Sequence, residues 1–452
     1  MALGHAEEDR SPPPARAGWP LLLVGWLALS VLVLLALALW QGQSYWEYSD
    51  GVYSLSARYV LDGRSLYSDF AAAQPPALFY VGAAVLAIDD SPAAIRVAMA
   101  ACRAAVSLLV LVAVWRLTRR RDAALLAALA TFVSPWALRE HAQLLPETLA
   151  APLVMGTALA AGRRATAVLA GALGAIAATF KLAFVLPALA IVLLGRHVRQ
   201  GLIGFAATGA VLAPAFVALF GEPLWTNVVR AQTQAGYASP QYIAGLWAQA
   251  GWNVLPLLVL AALAWPQRAR LHDPDLARSL LAAGAGSLLL LATLLKSGSY
   301  LTVMIVAEPP LVCLAACGVV AALDRDQVTA TRARARVRLV VALAAALATA
   351  QIVSLLASPD DPGLFTRPLA ASGPARTLSD AGVEKAARAI AACPEGSTYP
   401  GPPYLAFVAG RDVAGHQPDP YIIRAAPVLH AFRTRADTDP RLCRDPRLPV
   451  IP

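Results

Sequence analysis

The stretch WPLLLVGWLALSVLVLLALALW, residues Trp19–Trp40, contains no charged side chain. As an α-helix it is long enough to cross the hydrocarbon core of a bilayer, which takes about 20 residues. A secretory signal peptide would have a shorter apolar core and a small-residue cleavage site. This block instead runs on to Tyr45-Trp46, aromatic residues of the kind that lie at a membrane interface. We therefore predict a retained membrane helix that follows a polar cytoplasmic leader, residues 1–18.

Similar apolar blocks recur along the chain, and the overall composition is that of a membrane protein. Apolar residues make up 58% of the 452 residues and charged residues only 14%, which is too few to cover a water-soluble protein. The net charge is +9, from 37 Lys and Arg against 28 Asp and Glu. A basic balance can indicate a nucleic-acid partner, but here the arginines cluster in short segments between apolar blocks, as in cytoplasmic loops. We therefore predict no nucleic-acid partner.

Ten further apolar blocks are predicted to cross the membrane. Arginine clusters occupy every second loop, a pattern typical of cytoplasmic loops that alternate with outer loops. Residues 41–93 then form the first outer loop, residues 221–248 a second, and residues 358–452 an outer tail. The predicted spans after the first are residues 94–117, 123–138, 146–161, 165–180, 182–195, 202–220, 252–266, 277–295, 301–323 and 339–357. The predicted fold class is an α-helical polytopic membrane protein with about 11 transmembrane helices in residues 19–357, in a bacterial inner membrane.

The tail, residues 358–452, has a different composition, rich in proline, aspartate and arginine. Apolar residues at helical spacing predict one amphipathic helix over Ser379–Ala392. The apolar run Tyr404–Val408 has the length of a strand, so the tail is predicted to be a small extracytoplasmic α/β domain. Cys393 and Cys443 lie in this tail and either pair as a disulfide or stay free, because sequence spacing alone cannot establish the geometry.

The first outer loop carries most of the polar and aromatic residues outside the tail. Ser49 and Asp50 have the character of a helix N-cap, and an apolar stripe follows them that predicts a short interfacial helix. Gly63 is predicted to end this helix. Pro75-Pro76 is predicted to begin a second short interfacial helix, since proline is favoured in the first turn.

Four ionisable residues are candidates for chemistry, and each has a purely structural alternative. Asp50 either caps its helix at the outer surface or acts on a substrate there. Glu147 follows Pro146 in the first turn of a span, where a carboxylate complements the helix dipole. Glu308 lies within a span, where an ionisable group is costly in lipid and is either paired with a neighbouring helix or functional. Lys181, at an outer turn, either extends to the headgroup layer or binds a lipid phosphate.

Several segments of the chain carry a recognisable pattern. The positions are Asp50-Gly-x-Tyr53, Ala57-Arg58, Leu61-x-Gly63, Tyr67-x-Asp69-Phe70, Pro75-Pro76-x-x-x-Tyr80, Arg96, Pro146-Glu147, Phe180-Lys181, Lys296–Tyr300, Glu308-Pro309, Pro403–Arg411 and Asp419. In this order they resemble the GT-C membrane glycosyltransferases, above all family 39, the protein O-mannosyltransferase and aminoarabinose-transferase group. The sequence shows no Gly-rich phosphate loop and no His-Glu-x-x-His motif, which is consistent with a donor that is not a nucleotide sugar.

The resemblance implies an enzyme that moves a sugar from a polyprenyl-phosphate donor to an acceptor hydroxyl on the outer face, with inversion. It implies Asp50 as the general base, Glu147 as a second catalytic acid residue, and Lys181 or Arg58 against the leaving phosphate. The remaining predicted substrate-binding residues are Tyr53, Tyr67, Asp69, Pro75, Pro76, Tyr80, Arg96, His141, Tyr300 and Glu308. The implied partners are the lipid-linked donor, membrane lipid, and a protein, glycan or lipid acceptor.

No cofactor follows from the sequence with certainty. The family sometimes has a metal near the first-loop aspartate, so a divalent cation, Mg²⁺ or Mn²⁺, is left open. Many members have Asp-Glu where this chain has Asp50-Gly51, and this difference argues against a paired-carboxylate metal site.

Two other functions fit the same membrane topology. A transporter or flippase of a lipid-linked sugar would use the carboxylates to gate protons or bind substrate, but such proteins tend to have repeated halves, and no repeat is visible here. A non-catalytic scaffold whose tail binds cell-envelope polymer would not depend on the membrane carboxylates at all. The transferase is the interpretation that the ordered pattern favours.

Overall fold

The computed structural model describes residues 24–26, 28–30, 32–33, 48–133, 143–264, 271–296, 301–323 and 380–443. The eleventh predicted span, residues 339–357, and most of the first lie outside these residues, as do the predicted site residues His141 and Tyr300. The described part of the first predicted span, between residues 24 and 33, is helical.

Helices make up the first outer loop and the membrane portion. Their bounds are α1 Tyr48–Leu61, α2 Ala77–Leu86, α3 Pro92–Thr118, α4 Arg121–Val133, α5 Pro146–Ala161, α6 Ala167–Ala178, α7 Val185–Leu194, α8 Val198–Trp225, α9 Pro240–Ala264, α10 Pro274–Leu288 and α11 Met304–Leu323. Single 3-10 turns extend some of them, such as the turn Leu301–Val303 before α11. Within the described ranges, four helical segments are long and apolar enough to cross a membrane: Pro92–Thr118, Val198–Gln234, Pro274–Leu295 and Leu301–Ala321.

The second to sixth predicted spans agree with α3 to α7 to within a few residues where the structure describes them, and the local reasons are visible in the sequence. The helix α3 begins after Ser91, whose hydroxyl accepts a hydrogen bond from the Ala94 amide while Pro92 occupies the first turn. It ends at Arg119, which has a φ of 57° and so reverses the chain. The helix α5 begins with Pro146, as the pattern predicted.

The segment predicted as an outer loop over residues 221–248 is largely helical. The helix α8 is interrupted at Gly221, which has a φ of 57° and a ψ of −144°. The chain then continues as helix through a π-helical turn, Thr226–Arg230, to Gln234, and α9 begins at Pro240. Only a short connection remains between them. Polar and aromatic residues in this stretch looked like loop composition, but few of them break a helix, and a proline at the first turn begins the next one.

Two membrane helices pack at backbone distance. A Cβ atom on Gly204 of α8 would overlap the carbonyl oxygen of Val168 in α6, and one on Gly171 of α6 would lie 2.5 Å from the amide nitrogen of Phe205. Glycine is required at both positions because any side chain would push the two helices apart.

The first outer loop folds back on itself as a helical hairpin of α1 and α2. Gly63 ends α1 with a φ of 82°, and the Arg64 amide donates to the Tyr59 carbonyl, as in a glycine-terminated helix. The second helix begins directly after Pro76, as predicted. The predicted N-cap is wrong by two residues: α1 begins at Tyr48, so Asp50 lies in its first turn.

The described part of the tail is a small helical domain with a minimal sheet. Its elements are α12 Asp380–Ala391, β1 Thr398–Tyr399, α13 Pro403–Val408, β2 Asp412–Val413, α14 Pro420–Ala425 and α15 His430–Asp437. The amphipathic helix predicted over Ser379–Ala392 is confirmed as α12, with Val383 and Ile390 fully buried.

The strand predicted at Tyr404–Val408 is wrong, because Pro403 starts a short helix there. The two strands lie on either side of this helix and pair in parallel, Thr398 with Asp412 and Tyr399 with Val413. Cys393 and Cys443 form a disulfide with a Cα–Cα distance of 5.9 Å, which resolves the alternative that the sequence left open.

Candidate active site

Asp50 is buried at the point where the first-loop hairpin meets two membrane helices. Its side chain is 3% exposed. One carboxylate oxygen, Oδ2, lies 3.0 Å from a guanidinium nitrogen of Arg96 in α3. The other, Oδ1, accepts hydrogen bonds from the Leu144 amide at 3.0 Å and from the Ser54 hydroxyl at 3.4 Å. Asp50 is thus not an exposed cap of its helix but a buried carboxylate with a cationic partner.

Glu147 forms a second buried ion pair. It lies in the first turn of α5 and is 1% exposed, and its Oε1 lies 2.6 Å from the Nζ of Lys181. Lys181 precedes the 3-10 turn Leu182–Phe184 between α6 and α7, and its side chain is 23% exposed. The lysine therefore neutralises a buried carboxylate, while part of its side chain still reaches the surface.

The two ion pairs are neighbours through the start of α5. The Leu144 amide that binds Asp50 lies three residues before Glu147 in the same segment. The start of α5 thus connects Asp50 to the pair of Glu147 and Lys181. Whether any of the three takes part in catalysis stays a prediction.

The tail domain covers the Asp50 side of the site. Tyr404 of α13 is 1% exposed, and its hydroxyl lies 3.1 Å from the second terminal nitrogen of Arg96. The backbone of Tyr404 packs directly on Gly51: a Cβ at position 51 would lie 2.7 Å from the Tyr404 Cα and nearer still to its amide nitrogen. Gly51, the position at which this chain departs from many family members, is therefore where the tail approaches the loop helix.

Further contacts join the tail to α1. The Arg58 guanidinium donates to the Phe407 carbonyl at 2.6 Å and lies 4.1 Å from the centre of the Phe407 ring. It also pairs with Asp90 at 2.7 Å. Arg58, predicted to meet the leaving phosphate, is thus engaged in joining the tail to the hairpin, two turns along α1 from Asp50.

An electrostatic contact lies at the other end of the same interface. Arg64 forms an ion pair with Asp412 of β2 at 2.8 Å, and His416 lies 3.0 Å from that carboxylate. Burial would raise the pKa of Asp412, but the hydrogen bond from His416 and the charge of Arg64 outweigh it and hold the pKa at about 2. The carboxylate is therefore ionised at any physiological pH and keeps the tail attached to the loop.

Most other predicted first-loop residues shape the hairpin and its connections. The Tyr67 hydroxyl donates to the Gln74 carbonyl at 2.7 Å. Gln74 in turn donates to the Tyr53 hydroxyl at 3.2 Å. The exposed Asp69 carboxylate accepts from the Ser65 amide at 2.6 Å. Tyr80 is 50% exposed on the outer face of α2.

Pro75 and Pro76 are buried at the start of α2. None of the contacts described for them or for these four side chains involves Asp50 or Glu147. Their predicted roles in substrate binding stay predictions.

Glu308 forms a third buried ion pair, between α11 and α3. It is 7% exposed in α11 and lies 3.8 Å from a guanidinium nitrogen of Arg103 in α3, which also donates to the Thr131 carbonyl. Arg103 follows Arg96 by seven residues, so the two arginines lie on one face of α3. This pairing matches the structural alternative for Glu308, and its role in substrate binding stays a prediction.

Three residues of this region were not predicted as site residues from the sequence. They are Tyr404, Arg103 and Lys296. Lys296 follows the span that ends at Leu295, and burial together with the nearby charge of Lys181 lowers its pKa to about 8, although the Asp419 carboxylate offsets part of the effect. The lysine in the segment Lys296–Tyr300 was a signal for this position, whereas nothing local indicated that Tyr404 would reach Arg96.

The carboxylates do not form a ligand set for a divalent cation. Asp50 faces Arg96, Glu147 faces Lys181, and Gly51 has no side chain to offer. Among the residues that the structure describes, no group of three or more His, Cys, Asp or Glu side chains is close enough to hold a metal.

The fold resembles solved structures of ArnT. The chain matches the crystal structure of ArnT from Cupriavidus metallidurans bound to undecaprenyl phosphate with a TM-score of 0.60, over 92% of this chain and 89% of that one. It matches the structure of the same protein in the apo state with a TM-score of 0.60, over 95% of this chain and 89% of that one. The chain has the GT-C fold.

Sequence identity to the two ArnT structures is only 15% and 16%, so this likeness concerns the GT-C fold. No family model matches the chain, and no curated protein matches it either. The predicted fold class, a polytopic GT-C membrane protein with a small tail domain, is confirmed.

Proposed function

We propose that the chain is a membrane glycosyltransferase that moves a sugar from a polyprenyl-phosphate donor to an acceptor hydroxyl. The observation that carries the proposal is the GT-C fold, shared over nine-tenths of the chain with an ArnT structure that holds undecaprenyl phosphate. Fold alone does not establish an activity. The buried Asp50, in the first-loop position that the sequence singled out, adds an independent reason.

The proposed reaction is a single displacement. The acceptor oxygen attacks the anomeric carbon of the donor, and the bond between that carbon and the phosphate oxygen breaks. The Asp50 carboxylate takes the proton from the acceptor hydroxyl, and the polyprenyl phosphate leaves with the bonding electron pair. Attack from the face opposite the leaving phosphate inverts the configuration at the anomeric carbon.

The contacts of Asp50 suit a general base. The Arg96 guanidinium and the Leu144 amide hold the two carboxylate oxygens in one orientation. A carboxylate can accept about four hydrogen bonds, so these contacts are compatible with a further one from an acceptor hydroxyl. General-base assistance supplies about 10²–10⁴-fold in rate, and positioning and charge stabilisation supply the rest.

Lys181 is the cation that we assign to the leaving phosphate. Its ammonium group forms an ion pair with the buried Glu147, and 23% of the lysine side chain is exposed. An ammonium group binds phosphate as a compact point charge. When the phosphate arrives, Lys181 would interact with both the phosphate and Glu147, and Glu147 would keep the lysine in place.

The test is an Asp50→Asn variant assayed in membranes with a panel of undecaprenyl-phosphate-linked hexoses and pentoses. We expect wild-type protein to release undecaprenyl phosphate from one of these donors, and the variant to do so at least about 100-fold more slowly. Asp62→Asn is the matched control, since Asp62 is an exposed carboxylate at the other end of the same loop segment. Full activity of Asp50→Asn at normal membrane levels would remove Asp50 from the role of base.

A further inference from the structure

We propose that Tyr404 is a positioning residue of the active site, because its hydroxyl holds the Arg96 guanidinium against Asp50. The tail domain would then supply part of the site instead of being a separate appendage. The inference rests on the proposed function in that it takes Asp50 as the group to be positioned. The contact of α13 with α1, which brings Tyr404 to Arg96, can nevertheless be tested without any activity.

The geometry places Arg96 as a bridge between the loop and the tail. One terminal nitrogen of its guanidinium lies 3.0 Å from Asp50, and the other lies 3.1 Å from the Tyr404 hydroxyl. All three residues are at most 5% exposed. A guanidinium is planar and rigid, so an anchor at one arm fixes the direction of the other.

The surrounding sequence is adapted to this close approach. Gly51 lets the Tyr404 backbone lie directly on α1, next to Asp50. Pro403 at the first turn of α13 sets the start of the helix that carries Tyr404. On the same helix, Phe407 is held by Arg58, so the position of Tyr404 is defined from both ends of α13.

The consequence for chemistry concerns the orientation of the base. Without the Tyr404 hydroxyl, one arm of a buried guanidinium loses a hydrogen-bond acceptor, and Arg96 can move to find another. The Asp50 carboxylate then loses a fixed partner, and the angle at which it meets the acceptor hydroxyl is no longer set. A small error in the position of a catalytic group slows the chemical step. We therefore expect kcat to fall while binding of the donor lipid is unchanged.

The first experiment tests the contact by hydrogen–deuterium exchange on the full chain in detergent. In Gly51→Ala the added methyl group should push α13 away from α1, so peptides that cover residues 48–61 and 403–413 should exchange faster than in wild type. Gly209→Ala is the control, since a Cβ at Gly209 meets nothing within 4 Å, and it should leave both peptides unchanged. Unchanged exchange in Gly51→Ala would overturn the inference.

The second experiment tests the positioning role with Tyr404→Phe, which removes only the hydroxyl. We expect kcat to fall about tenfold, the effect of losing one hydrogen bond to a charged group, with KM for the donor unchanged. Tyr421→Phe in the same domain, where the side chain is 38% exposed, should retain wild-type kcat.

Combining Tyr404→Phe with Asp50→Asn then separates positioning from a general structural defect. If Tyr404 acts through Asp50, adding Tyr404→Phe to Asp50→Asn should cause no further loss of the residual rate. If the two losses multiply, or if Tyr404→Phe alone has wild-type kcat, the inference fails.

Failure of the proposed function gives a different result. The proposed function would be contradicted if wild-type protein turned over no donor, or if Asp50→Asn had full activity. In either case Tyr404 has no base to position, and the positioning role falls with it. Faster exchange in Gly51→Ala would then still establish the contact between α13 and α1 as a structural one.

Discussion

At the scale of single residues, Asp50 and Glu147 are each held by a cation from another helix. Arg96 of α3 faces the first, and Lys181 before α7 faces the second. Buried charges of this kind persist in proteins only when they are paired and hydrogen-bonded. The pairs differ in access, since Arg96 is buried and the Lys181 side chain is 23% exposed. This difference is the reason that we assign the phosphate to Lys181.

The Glu147–Lys181 pair predicts an asymmetric response to mutation. Lys181→Met leaves a buried, uncompensated carboxylate and should cost roughly 3 kcal/mol of stability, at the lower end for a buried pair because the lysine is partly exposed. The double variant Lys181→Met/Glu147→Gln removes both charges and should recover most of that loss. Thermal unfolding of the purified protein in detergent measures both changes.

The matched control is the ion pair of Arg196 with Asp275, in which the Arg196 side chain is 65% exposed. Arg196→Met should change stability by less than about 1 kcal/mol. A double variant no more stable than Lys181→Met would show that the loss does not come from the unpaired charge.

At the scale of elements, the closest helix packing depends on glycine. Gly204 lets α8 approach α6 until a Cβ would overlap the Val168 carbonyl oxygen. Gly204→Ala should therefore separate the two helices and cost about 1–3 kcal/mol. Gly209 lies on the same helix with nothing within 4 Å of its Cβ position, so Gly209→Ala should be neutral or slightly stabilising. Equal unfolding temperatures for the two variants would contradict this account of the packing.

The same scale shows what the sequence could and could not predict. Apolar block length and proline at first turns were enough to place α3 and α5, because both signals are local. The helix α13 was predicted as a strand, since a short apolar run is ambiguous until the proline before it is weighed. Arg96 and Tyr404 are 308 residues apart in the sequence, and no local sequence pattern predicts a contact between residues so far apart.

At the scale of the whole molecule, the tail and the membrane domain meet at the first outer loop. Arg58, Arg64 and Arg96 each bind a group of the tail, and Gly51 admits its backbone. These contacts place the tail on the same side of the membrane as Asp50. The side on which the tail lies is therefore also the side on which the proposed transfer takes place.

The disulfide provides a way to test on which side of the membrane the tail lies. We propose that the tail is extracytoplasmic, because disulfides form and persist in oxidising compartments and the arginine clusters occupy the opposite loops. In intact cells, a membrane-impermeant maleimide should label the protein only after treatment with a membrane-impermeant reductant. Cys313 and Cys317 are buried in α11, and the half-buried Cys102 lies within the apolar helix Pro92–Thr118, so the label should be at Cys393 and Cys443. It should be lost in Cys393→Ser/Cys443→Ser. Labelling that requires permeabilised cells would show that the tail lies in the cytoplasm and would contradict the predicted topology. Asp50 would then face the cytoplasm, where a donor presented at the outer surface could not reach it.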